Sequence, residues 1–140
     1  HRLFPQSLRP QNPLKPRLVQ TGPCQEVVHR GEEANFEILP APVWTAGEDP
    51  GPYHTSPFVI SRDPETGIQN MGTYRVQVKG RNRAGLMINP PRNVNQHIRK
   101  NEARGQGTDV AIVFGTDPAV AFHGGEFCSF ELSNKINRID

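Results

Sequence analysis

The sequence predicts an α+β fold: antiparallel strands with one main helix. Three observations lead there. Residues 68–78 alternate apolar and polar side chains, as a half-buried strand does. Proline and glycine clusters cut the chain into short runs that suit strands joined by turns. Only residues 93–104 carry a clear helical period.

Taken in order, residues 1–22 are rich in proline and have no periodic pattern. Proline removes amide donors and fixes φ, so an extended Pro-rich arm is expected there. Residues 24–29 form a first strand candidate. Residues 35–39 follow, with Phe36 and Ile38 alternating against Asn35 and Glu37. Residues 40–57 read as a long loop, with Trp44 and Tyr53 as aromatic anchors stapling it to the core. Residues 58–61 are a strand, the Asp63-Pro-Glu-Thr-Gly67 run reverses it, and residues 68–78 return. A basic hairpin loop over 80–85 leads to a strand at 86–88, and Pro90-Pro91 stops the sheet.

In the helix, Val94, Ile98 and Glu102 share a stripe with Ala103 beside it, while Arg99, Lys100 and Asn101 face water. Gly105 ends it. Residues 109–114 are a continuous apolar run, hence a buried strand. Asp117-Pro118 opens a second helix that Gly124-Gly125 cuts short. The expected organisation is an arm over 1–22, a folded domain over 23–122, and a tail over 123–140.

Composition narrows the function. Net charge is +2, and basic residues are scattered apart from residues 79–83, so a nucleic-acid groove is not expected. No apolar run approaches the ~20 residues of a membrane span, and there is no signal-peptide pattern. Cys24 and Cys128 stand apart from other cysteines and from paired histidines, so no metal motif is read; a disulfide between them stays open. Such cysteine usage suits a cytoplasmic protein. Hydrophobic residues make up 34% of the chain, which suggests a modest core that leans on a partner. A first residue of His rather than Met points to a processed start, a tag remnant or a subcloned fragment.

One ordered set of motifs resembles a known family. It comprises Leu39-Pro40, Gly51-Pro-Tyr53, Asp63-Pro-Glu-Thr-Gly67, Asn70-Met-Gly-Thr-Tyr-Arg75 and Gly115-Thr-Asp-Pro118. Together they resemble the UbiD family of (de)carboxylases, which use prenylated flavin mononucleotide (prenylated FMN). The resemblance implies a partial split β-barrel of the flavin-reductase-like kind over 23–122, about a quarter of a complete enzyme.

By that resemblance Asn70 places its oxygen on a cation, Mn²⁺ or Mg²⁺ with K⁺ as a further candidate; hard cations prefer oxygen ligands. Arg75 becomes the catalytic arginine beside the reacting carboxylate, which a guanidinium binds in bidentate fashion. Thr55, Asn70, Met71, Thr73, Tyr74 and Arg75 line the cofactor site. Residues 70 and 75 point to opposite faces of an unbroken strand, so both reaching one flavin requires a distortion, expected at Gly72.

Two departures stand out. Pro91 occupies the place of a histidine in many relatives. The family's glutamates lie beyond the matched segment, and Glu126 and Glu131 are not assigned their roles. In the family the prenylated flavin accepts electron density as CO₂ leaves, and a glutamic acid then donates a proton. The partners implied are a small-molecule carboxylic acid and either a second copy of the chain or the remaining enzyme segments. The alternatives are a non-catalytic flavin- or partner-binding module and an unrelated small β-rich protein.

Overall fold

The structure is a computed structural model, and it describes residues 17, 19–118, 120 and 121. The chain divides into two units, residues 1–28 with 132–140, and residues 29–131. In the described part of the first, Pro23–Gln25 forms a single 3₁₀ turn. The strand expected over 24–29 is therefore absent: Pro23 fixes a turn-forming φ, and the residues after it have no strand partner among the described residues. Cys24 is free and exposed. Cys128, Glu126 and Glu131 lie outside the described residues.

Among its described residues the second unit holds six strands: β1 (Tyr53–His54), β2 (Phe58–Arg62), β3 (Gln69–Thr73), β4 (Val76–Gly80), β5 (Arg83–Leu86) and β6 (Val110–Val113). One helix, α1 (Asn93–Glu102), lies between β5 and β6 in sequence. All pairings are antiparallel, in two three-stranded sheets ordered β1-β4-β5 and β3-β2-β6. The α+β class, with antiparallel strands and one main helix, is what the chain folds into.

Residues 35–39 correct a second expectation. Phe36–Ile38 is a 3₁₀ turn, because the Asn35 side-chain oxygen accepts the amides of Glu37 and Ile38 at 2.9 and 3.1 Å. A local cap of this kind outcompetes a strand with no ladder to join. The long loop over 40–57 contains the short β1. Trp44 is 61% exposed, and its indole N–H donates to the Tyr53 carbonyl at 3.2 Å. It therefore ties the loop to itself and does not anchor it in the core.

The turn over 63–67 forms as expected. The Asp63 carboxylate accepts the Glu65 and Thr66 amides at 2.8 and 3.3 Å, and Gly67 takes φ +73°. The single strand expected over 68–78 splits in two. The Tyr74 amide still bonds to the Pro57 carbonyl beside β2, whereas the Arg75 carbonyl accepts from Met87 beyond β5. The chain changes sheets between residues 74 and 75.

Gly72 is not a bulge: the β2–β3 register runs unbroken from Phe58↔Thr73 to Arg62↔Gln69. Its lack of a side chain serves Tyr74. A Cβ at position 72 would lie 2.8 Å from the Tyr74 ring. Gly72→Ala must push that buried ring aside and is expected to cost about 1–3 kcal/mol in urea unfolding; an unchanged midpoint would contradict this reading.

The irregularity lies in the other sheet, at Val78/Gly80. It lets residues 81–82 close a tight hairpin, so β5 starts at Arg83, earlier than expected. The Arg81 guanidinium donates to the Glu32 carbonyl at 2.9 Å, while its carbonyl accepts from Phe36 at 2.7 Å.

Antiparallel register decides which side chains share a face. Val59 opposes Gly72 and Ile112, and Ser61 opposes Asn70 and Val110. This face carries α1, and Val59, Tyr74 and Val94 form the buried cluster, flanked by Leu86, Ile88, Ile98 and Ile112. The helix buries Val94, His97 and Asn101 and packs Ile98 against the cluster, so the expected Val94 and Ile98 face inward while Glu102 is exposed. Asn101 turns inward because its amide donates to the Thr108 hydroxyl at 2.9 Å. Gly105, at φ +68°, follows the end of the helix. Among the described residues β6 is an edge strand that pairs with β2 alone, and it is only half-buried, where a buried strand was expected.

Candidate functional site

The start of α1 gathers the polar groups of the central motif. β3 presents Asn70 on the helix side, where the Asn70 Oδ1 accepts from the Asn93 Nδ2 at 2.9 Å. The Tyr74 hydroxyl also bonds to the Asn70 side chain. Burial raises the Tyr74 pKa, while the Arg92 guanidinium and the Asn70 bond pull it down. No side chain caps α1: Arg92 holds the N-cap position without such a bond, and the first turn has no acid. Arg92, the Tyr74 hydroxyl and the Asn70 and Asn93 amides thus meet at the uncapped start of α1, where the helix dipole favours negative charge.

Arg75 has a different environment. Its guanidinium carbon lies 5.6 Å above the Tyr53 ring centroid, a cation–π contact that leaves the planar fork exposed. Tyr53 and Thr55 both line an open cleft of about 240 Å³, walled also by Pro40, Trp44, Pro57 and Phe114. Met71 pairs with Ile60 on the face opposite Asn70 and is buried, while Thr73 at the strand end is exposed. The structure thus brings Asn70 together with Tyr74, and Thr55 together with the ring beneath Arg75. Met71 and Thr73 offer backbone to either side of the strand.

The Asn70 oxygen is engaged by Asn93, and the described residues contain no group of three His, Cys, Asp or Glu side chains that could hold a metal. Asn70 could offer a cation one oxygen, as one ligand among several.

A second polar cluster was not foreseen. The Ser61 Oγ lies 2.9 Å from the His97 Nδ1, and the His97 Nε2 lies 3.9 Å from the Asp63 Oδ2. The Lys100 ammonium bonds to Asp63 and Glu65, each at 2.7 Å. The acceptor-only carboxylate favours the Nε2–H tautomer, so Ser61 donates to Nδ1. The Ser-His-Asp order invites a nucleophile reading, yet Ser61 is 2% exposed and out of reach of a substrate. The cluster ties α1 to β2 and the turn after it. Polar positions at helical spacing (His97 and Asn101 after Val94) were the available signal.

This tie makes stability depend on pH. Burial lowers the His97 pKa below 6.5, against the attraction of Asp63. The unfolded chain therefore takes up the proton first, so the contribution is full above about 6.5 and declines as pH falls toward the folded value. Asp63 is held at about 2 instead of 3.8, first by the Lys100 hydrogen bond and then by the Glu65 amide; its contribution is lost as pH falls from 3.8 through 2. The urea midpoint should drop between about pH 7.5 and about pH 5. His97→Gln should flatten that drop, and a profile already flat in the wild type would refute the tie.

His54 was also missed. It is 8% exposed, meets Phe114 edge-on at 4.7 Å, and its Nε2 has no hydrogen-bond partner among the described residues. Nothing in its Pro-flanked neighbourhood marked it.

Known proteins resemble this chain in both sequence and fold. The family model for the UbiD 3-octaprenyl-4-hydroxybenzoate carboxy-lyase Rift-related domain matches residues 17–133. A phenolic acid decarboxylase of Streptomyces sp. (strain D7) is 38% identical over 127 residues, covering 86% of this chain and 26% of that protein. One from Escherichia coli O157:H7 is 37% identical over 108 residues, 74% of this chain and 22% of that protein. Among solved structures, the open form of Sedimentibacter hydroxybenzoicus vanillic acid decarboxylase aligns with TM-score 0.68 and 32% identity, over 82% of this chain and 24% of that one. An evolved dimeric form of the UbiD-class enzyme HmfF from Pelotomaculum thermopropionicum, in complex with prFMN, aligns with TM-score 0.58 and 38% identity, over 61% of this chain and 20% of that one. The chain spans about a quarter of the length of the curated relatives it matches. No helix among the described residues is long and apolar enough to cross a membrane. With its motifs, its fold and this match in hand, the chain belongs to the UbiD family.

Proposed function

We propose that this chain supplies the flavin-binding part of a carboxy-lyase that acts on aromatic or α,β-unsaturated carboxylic acids with prenylated FMN. The observation that carries this reading is the anion-receptive corner at the start of α1, formed by residues of the motif that first suggested the family. Asn70, Tyr74 and Arg92 hold the phosphate end of the flavin there. When bound, prenylated FMN supplies the sink for the electron pair that the departing CO₂ leaves behind. Thr55 and the backbone of Met71, Thr73 and Tyr74 border the cofactor.

Arg75 orients the acid. Its planar guanidinium offers a carboxylate two parallel N–H bonds. The Tyr53 ring beneath it limits the planes the fork can adopt. Asn70 offers a cation one oxygen, and no step here runs through Mn²⁺, Mg²⁺ or K⁺.

Among the described residues, β3 and β6 are the edge strands of the β3-β2-β6 sheet, and each can pair with the enzyme's other segments or with a second copy of the chain. The exposed thiol of Cys24 suits the reducing cytoplasm. Since no proton-donating glutamate is assigned within the matched motifs, the 140 residues alone should release no CO₂ from a cinnamate or hydroxybenzoate supplied with prenylated FMN and Mn²⁺. Sustained release would overturn the assignment of the proton donor to other segments.

A further inference from the structure

Two residues make up β1, and their register explains the company that Arg75 keeps. Successive strand residues point to opposite faces. His54 opposes the fully buried Val76 and is itself buried, so Tyr53 turns to the other face. Tyr53 opposes Gln77, and Arg75, two residues before Gln77, is its diagonal neighbour on that face. Diagonal neighbours lie ~7–8 Å apart, within reach of aromatic and long side chains. The Arg75 guanidinium carbon accordingly comes to 5.6 Å from the Tyr53 ring centroid. The Tyr53 main chain is held on both sides: its amide donates to the Pro42 carbonyl at 2.9 Å, and its carbonyl accepts from the Trp44 indole at 3.2 Å. Arg75 has an exposed side chain, and among the described residues no carboxylate pairs with it.

We propose that Tyr53 is a positioning residue for Arg75: its ring orders the guanidinium before a carboxylate arrives, and the Pro42–Trp44 segment holds the ring in place. An exposed arginine samples many rotamers and loses that freedom on closing a bidentate pair. A side chain already ordered on a ring loses less and binds more tightly. A guanidinium can lie over an aromatic face and keep N–H groups free for a carboxylate. This gives the long loop over 40–57 a use, since loops of that length in a compact domain are commonly functional. The inference rests on the reading of Arg75 as the group that orients the acid, and adds what orients Arg75.

The test follows the Arg75 side chain by NMR in the FMN-loaded 140-residue chain, and measures affinity for 4-hydroxybenzoate by calorimetry. In the wild type the Arg75 side-chain protons should be shifted upfield by the ring. Its Nε–H should be more ordered than that of the exposed Arg83. Tyr53→Leu should abolish both signatures and weaken the acid by about two- to five-fold. Tyr53→Phe, which keeps the ring, should retain most of both. Trp44→Phe removes the indole bond to the Tyr53 carbonyl and alters neither partner of the stack, yet should release Arg75 in part. The Gln77 and Val78 amides report whether β4 stays folded. Trp44→Phe, at an exposed position, decides the matter if Tyr53→Leu does not fold.

An Arg75 side chain no more ordered than Arg83 in the wild type would overturn the proposal. So would order that survives Tyr53→Leu, or that Trp44→Phe leaves unchanged. If Tyr53→Leu keeps full affinity while Arg75→Met weakens binding, this inference fails and the reading of Arg75 stands. If neither variant changes the affinity, the reading of Arg75 itself fails.

Discussion

Replacing Tyr74 by alanine is expected to remove about 3–5 kcal/mol of stability, the largest single loss among the residues of the central motif. The ring is 6% exposed and packs with Val59 and Val94 in the cluster that joins α1 to the sheet. It also folds back onto Gly72, and its hydroxyl reaches Asn70. A domain of this size commonly has about 5–15 kcal/mol in total, so the variant should be partly unfolded near body temperature. Tyr74→Phe separates the two contributions: it keeps the ring and loses the hydroxyl bond, worth about 0.5–1.5 kcal/mol. Chemical denaturation of the three proteins checks the order. A Tyr74→Ala loss no larger than that of Tyr74→Phe would place the core elsewhere.

The second large effect falls on binding. Arg75→Met should weaken the affinity of the FMN-loaded chain for an aromatic carboxylate by about 10- to 100-fold, the loss of one charge-assisted bidentate pair worth roughly 1.5–3 kcal/mol. Stability should change little, because the Arg75 side chain is exposed and its neighbour Val76 fills the core position. Arg75→Lys should recover only part of the affinity, since a point charge does not reproduce the planar fork. Calorimetric titration with 4-hydroxybenzoate reads all three. Undiminished affinity in Arg75→Met would remove the arginine from the site.

Much of this protein was legible in its residues, for reasons that differ from one segment to the next. The turn over 63–67 and the helix stop at Gly105 are local: aspartate and glycine chemistry determines them wherever they occur. β4 showed its alternation because Val76 packs into the core while Lys79 and Gly80 stay exposed. The strands expected over 24–29 and 35–39 failed because alternation does not provide a neighbour. Without a ladder, Pro23 and the Asn35 cap decide the backbone.

The switch of sheets between Tyr74 and Arg75 was misplaced to Gly72 for a related reason. Glycine signals tolerance of a bend, but here it makes room for a ring two residues on. Legibility of the site followed the same division. The motif residues 70–75 could be named in advance. The Arg92 charge, the Asn93 amide and the unpaired His54 nitrogen could not, because each acquires its meaning only through residues distant in sequence.

The most direct test is a flavin titration followed by FMN fluorescence, on the wild-type chain and on Arg92→Glu. Saturable one-site quenching that inorganic phosphate competes away, and that weakens at least about ten-fold when the charge at position 92 is reversed, is the predicted result. Absence of saturation, or equal binding by the two proteins, would contradict a phosphate seat at the head of α1.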